Sequence, residues 1–200
     1  MPEAFDWKLA IGLIASFVYV VGLFPYIRDI FAHKTKPHIY TWLIWILTQG
    51  TAIGGLIIGG GGFASIALVI SLLVVGFIFL LSFKYGTRNI TRSDTITLIG
   101  ALIAIGVWWQ LDNPLLAILM VSAIDALGYI PTFRKTYVDP WSETKISWLL
   151  AGIGSFLIIL SIEEYNFLTA TYVATLFAAN TSLYVLIVVR RKFLSNTSGE

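Results

Sequence analysis

Asp125 is the residue of this chain best placed to do chemistry, because it is an ionisable group set well inside an apolar stretch, PLLAILMVSAIDALGYI (114–130). A carboxylate held in a bilayer costs about 2.5–3.5 kcal/mol on insertion scales, so such groups face a bundle interior or water. Ser122, Asp125 and Tyr129 stand at i, i+3 and i+7 and share one helix face. A carboxyl in that setting suits a pocket wall that binds a polar solute, or a proton site that couples its movement. The structural alternative is a protonated acid hydrogen-bonded to a neighbouring helix. Asn180, within LFAANTSLY (176–184), offers a donor and an acceptor together. It suits a hydroxylated or zwitterionic solute, or else glues helices at about 1 kcal/mol. Gln49, beside Thr48 and Thr51, forms a second polar patch. Trp148 can stack on a sugar ring or, like Trp42 and Trp45, sit at the membrane interface; Trp7, Trp108 and Trp109 read as interface belt residues.

Other chemistries find no footing. The chain has no cysteine, so thiolate metal sites and disulfides are excluded. His33 and His38 flank a basic segment without metal-ligand spacing or a nearby carboxylate pair, and no nucleophile elbow or phosphate loop occurs. Every lysine lies in a loop or at the end of an apolar stretch, which excludes a retinal Schiff base. The expectation is a protein that is not an enzyme and needs neither cofactor nor metal.

The elements that must hold these residues are membrane helices. Of 200 residues, 58% are hydrophobic and only 12% charged, against about 25% charged in soluble domains; mean hydropathy is +0.85. Charge-poor stretches run 9–27, 38–58, 63–83, 95–111, 114–133, 146–162 and 166–189, each near the length of a spanning helix and the fourth and sixth the shortest. Gly59–Gly62 splits what would otherwise be one overlong stretch. All but one (Lys8) of the 13 lysines and arginines fall on one side of the seven spans so defined: Arg28, Lys34, Lys36, Lys84, Arg88, Arg92, Arg134, Lys135, Lys145, Arg190, Arg191 and Lys192. The positive-inside rule then puts the N-terminus outside and the C-terminus in the cytoplasm, with Asp112, Glu163 and Glu164 facing outward. The acidic start MPEAFDWK lacks the basic segment of a cleaved signal, so the first span is expected to be retained. Arg28 and Arg134 are expected to anchor helix ends at the cytoplasmic headgroups.

The chain also aligns with itself, without a gap, at an offset of 106. Ser16 meets Ser122, Gly22 meets Gly128, Pro25 meets Pro131, Arg28 meets Arg134 and Trp42 meets Trp148. Tyr19 is the counterpart of Asp125. Spans one to three thus match five to seven, and the fourth is unmatched. Four crossings separate each matched pair, so the repeat is parallel, an arrangement that places a transport site between the two units. The expected organisation is all-α: a three-helix bundle (1–90), a linker helix (91–112), a second bundle (113–194) and a tail (195–200). Pro25 and Pro131 lie near the cytoplasmic ends of spans one and five, where proline ends a helix or kinks it. Their recurrence marks them, with Tyr129, as hinge or gate residues.

Three spans, a linker and three spans, with a proline in the first helix of each unit, resemble the SWEET and PQ-loop superfamily of carriers. The segments that carry the resemblance are FPYIRDIFAHKTKPHIYTW (24–42) and IPTFRKTYVDPWSETKISW (130–148). Where the family places glutamine after the proline, this chain has Tyr26 and Thr132. The resemblance implies a carrier working by alternating access, with a small neutral sugar slightly favoured as solute. It assigns Asn180 to solute binding, while its counterpart Val74 breaks the family's symmetric pair. Asp125, Tyr19, Ser122, Trp148 and Gln49 complete the expected site. The alternatives are a proton-coupled carrier of an amino acid or a cationic solute, with Asp125 as coupling group, and a membrane receptor that binds without transport. The expected partners are a small-molecule solute and the lipid bilayer of a plasma or inner membrane, with no nucleic acid. A monomer or a homo-oligomer is compatible with two units in one chain.

Overall fold

A computed structural model describes residues 6–35, 37, 39–86, 90–111 and 113–197. Eight α-helices and one 3-10 turn account for them: α1 (Trp7–Phe31), α2 (Ile39–Ile58), α3 (Phe63–Tyr85), α4 (Arg92–Leu111), α5 (Pro114–Gly128), α6 (Ile130–Val138), the turn Pro140–Ser142, α7 (Lys145–Leu160) and α8 (Phe167–Thr197). No strand occurs among the described residues. The boundaries follow local chemistry. The Asp6 carboxylate accepts the amides of Lys8 and Leu9 to start α1, and Asn113 with Pro114 starts α5. The four-glycine run ends α2 and caps α3, with Gly60 and Gly62 at positive φ (78° and 52°), which a side chain rarely tolerates.

Among the described residues, five helical segments are long and apolar enough to cross a membrane: 7–31, 39–58, 63–85, 114–138 and 167–195. The two shortest sequence stretches are not among them. At 16 residues α7 is short, and the side chains of Trp108, Trp109 and Leu111 in α4 lie outside the described residues. Phe17, Phe24, Leu73, Leu80 and Phe83 are exposed, and so large an apolar surface is that of a protein embedded in lipid. Lys36, His38, Arg88 and Asp112 lie outside the described residues. α8 runs to Thr197, so helix extends into the expected tail.

Six helices close into a ring. α3 lies between α1 and α2, and α8 lies between α5 and α7. The ring is completed where α1 packs on α7 and α2 packs on α5. Exchanging α1, α2 and α3 for α5, α7 and α8 reproduces every one of these contacts, as does the weaker pair α2–α8 with α3–α7. The offset of 106 is therefore visible in packing as well as sequence. α4 stands outside the ring against α5 and α2. Gly22 is required by this closure, since a Cβ there would lie 2.7 Å from Leu150 Cβ of α7.

The two ends of the ring are held differently. At the end bearing Gly59–Gly62, Lys8 Nζ donates to the carbonyls of Ile162 (2.7 Å) and Glu163 (2.9 Å), and Asn166 Nδ2 donates to that of Gly59 (2.7 Å). The amide of Phe63 donates to Glu163 Oε1 at 3.3 Å. Beneath these bonds an apolar cluster around Ala15, Leu56, Ala64, Ile158 and Ile162 fills the ring. At the opposite end Thr144 Oγ1 donates to Asp29 Oδ2 (2.7 Å), joining α7 to α1.

Candidate functional site

Inside the ring lies a cavity of about 50 Å³, bordered by side chains from all six ring helices. Tyr19, Gln49, Asp125, Trp148 and Asn180 line it, and so does Tyr129 at the α5–α6 junction. Five expected binding residues and one expected gate residue are thus brought together. Ser122 is not among the lining residues: it is buried, and its hydroxyl donates to the Ile118 carbonyl of its own helix, as Ser16 does to Gly12. A water needs about 10–15 Å³ by this measure, so the space holds a few waters and is small against pockets of hundreds of Å³ for larger ligands.

One pole of the cavity is a closed hydrogen-bond network. Tyr129 donates to Asn180 Oδ1 (2.9 Å), Asn180 Nδ2 donates to Ser155 Oγ (3.1 Å), and the Tyr19 hydroxyl meets Ser155 Oγ at 2.7 Å. This chain of bonds ties α1, α7 and α8 to the α5–α6 junction. Both ends of the Asn180 amide are engaged by protein. Ser155 was not a sequence candidate, though the offset of 106 makes it the counterpart of Gln49.

The other pole is open. Asp125 is fully buried, and its Oδ1 lies 2.6 Å from Thr48 Oγ1 and accepts from the Tyr172 hydroxyl at 3.1 Å. Its Oδ2 has no hydrogen-bond partner among the described residues, and neither has Oε1 of buried Gln49. Trp45 Nε1 and Ser147 Oγ, also on the cavity wall, are unpartnered too. A buried polar atom without a partner costs about 1–3 kcal/mol, so four around one cavity call for bound water or a polar solute. Nothing in the sequence pattern singles out Tyr172, whose counterpart Ile66 is apolar.

Aromatic rings form the rest of the wall. Trp45 packs against Trp42, Tyr129 and Trp148, with ring centroids 5.0–6.3 Å apart. The indole of Trp148 donates to Glu143 Oε2 at 2.9 Å, and Glu143 Oε1 pairs with Lys135 Nζ at 2.6 Å. Trp148 is thus a cavity residue held from the Asp29–Thr144 end, not an interface tryptophan. The two prolines sit in different backbone settings. Pro25 lies within α1, which continues to Phe31, whereas Pro131 opens α6 after a break at Tyr129. An early helical position needs no amide donor and accepts proline at no loss.

Among the described residues no group of three or more His, Cys, Asp or Glu could hold a metal ion. Comparison of the chain with protein-family models, curated proteins and solved structures yields no match in any of the three.

Proposed function

We propose that this protein is a membrane carrier that moves a small polar solute by alternating access between two three-helix units, α1–α3 and α5, α7 and α8, with α4 as the linker. The observation that carries the reading is the cavity at the junction of the units, with four buried polar atoms around it that no group among the described residues satisfies. Its place fits the general design in which repeats rock about a central site. Its small volume fits a conformation closed around little more than water. On this reading all seven segments cross the membrane, α5 and α6 together forming the fifth, and the Gly59–Gly62 end faces outward. The resemblance to SWEET and PQ-loop carriers favours a sugar, and the buried carboxyl supports a proton-linked or cationic solute.

The test is uptake into proteoliposomes, using a panel of sugars and amino acids with and without a pH gradient. Saturable uptake that Asp125→Asn alters supports the carrier. Solute binding without net flux overturns it in favour of a receptor.

A further inference from the structure

The repeat gives the two poles of the cavity a common plan that only one of them completes. Tyr19 meets Ser155 at one pole; at the other the equivalent positions hold Asp125 and Gln49. In each case one position holds a long side chain and the other a short one, with the order reversed, and Asp125 and Gln49 border the same cavity. At the first pole the tyrosine hydroxyl supplies a proton for the bond. At the second, the unpartnered atoms, Asp125 Oδ2 and Gln49 Oε1, are both acceptors, from residues 0% and 6% exposed. With Asp125 ionised these two acceptors cannot satisfy each other, so the component missing between them is a donor. The unpartnered Trp45 N–H on the same wall leaves room for an acceptor on the same solute.

The charge around that pole narrows the donor. No Lys, Arg or His lines the cavity, and Asp125 is the one acid there. The groups that face Asp125 are the hydroxyls of Thr48 on α2 and Tyr172 on α8. Tyr19 on α1, Gln49 on α2 and Tyr129 share the cavity with it. α4, which packs on α5, has no charged residue after Asp94, in its first turn. An ionised Asp125 therefore has no cation supplied by the protein, and an anionic solute would meet only repulsion. Resting on the carrier reading of this site, we infer that the solute is a small protonated amine, and that the amine and a proton exclude one another at Asp125. The ammonium N–H groups reach Asp125 Oδ2 and Gln49 Oε1, and the carboxylate balances the charge. When a proton occupies Asp125 that balance is gone. An amine then enters as a proton leaves, so the carrier exchanges one for the other.

Ethanolamine, binding to the purified full-length chain, tests this. Calorimetry in buffers of different ionisation heat counts protons, and fluorescence of the cavity tryptophans reports affinity. The expected results are release of up to about one proton per ethanolamine at acidic pH, and affinity falling by up to about tenfold per pH unit once Asp125 protonates. Asp125→Asn should abolish both effects, and Gln49→Leu should weaken binding without changing the proton count. Ethanolamine binding that is independent of pH overturns the inference on wild-type protein alone, whether or not the Asp125 variant folds. Saturable flux of a sugar with no ethanolamine binding overturns it while leaving the carrier standing. Proton-linked ethanolamine binding without flux of any solute sustains the competition of amine and proton at Asp125 and removes both the exchange and the carrier.

Discussion

Asn180 and Gln49 border the same cavity, yet their polar atoms do opposite work. The Asn180 amide joins Tyr129 to Ser155, so Asn180→Leu leaves the buried Tyr129 hydroxyl without its acceptor, while Ser155 keeps its bonds to Tyr19 and the Ala151 carbonyl; stability should fall by about 1–3 kcal/mol. Gln49→Leu removes a carbonyl oxygen that has no partner. It should leave unfolding in detergent unchanged or slightly delayed, and its cost should appear only in solute affinity. Thermal unfolding of the two variants side by side checks this, and a Gln49→Leu variant as unstable as Asn180→Leu would assign Gln49 a structural bond. The contrast also shows why residue type alone did not rank the two. Both amides read as solute ligands in the sequence, and only the positions of Tyr129 and Ser155 reveal that one is already taken.

Between helices, the matched glycines of the repeat separate by how closely their partners approach. Gly22→Ala drives a methyl to 2.7 Å from Leu150 Cβ, close to backbone that must shift, and should cost about 1–3 kcal/mol. At Gly128 the nearest atom, Trp45 Nε1, is 3.3 Å away on an indole packed against Trp42, Tyr129 and Trp148 that must give by a few tenths of an ångström, so Gly128→Ala should cost less than Gly22→Ala. Denaturation of both variants measures the difference. The α6–α7 connection offers a second case, because Glu143 holds the Trp148 ring against the cavity. Glu143→Ala should free the indole and red-shift tryptophan emission, whereas Glu143→Gln keeps an acceptor and should shift it less; a Trp148→Phe background should remove the difference. Much at this scale was legible. Apolar length and the glycine run located the helices, and spaced Pro, Arg and Trp located the repeat. The break at Tyr129 was not legible, since Pro25 occupies the same repeat position inside an unbroken helix. Nor were the bonds of Asp125 to Thr48 and Tyr172, because they depend on which face α2 and α8 turn toward α5.

Across the whole molecule, the two ends of the ring are closed by unequal means, and on the proposed carrier reading that inequality predicts which opens first. The Gly59–Gly62 end has four hydrogen bonds between the repeat units and an apolar plug below them. Among the described residues, the Asp29–Thr144 end shows a side-chain bond between the units from Thr144 to Asp29, above the aromatic wall of the cavity. A chain without cysteine allows a clean measurement of access. In a Gln49→Cys variant, a membrane-impermeant thiol reagent should modify residue 49 faster from the Asp29–Thr144 side. Adding Lys8→Met removes two of the bonds at the other end, worth about 1.5–3 kcal/mol each when the donor is charged. That loss should shift the population toward opening there and raise reactivity from the Gly59–Gly62 side by about tenfold or more, while reactivity from the first side falls. A fall on one side with a rise on the other is the signature of two exclusive conformations of one path. Equal increases on both sides would mean that Lys8 merely stabilises the fold, and no change would mean that its two carbonyl bonds do not hold the end shut.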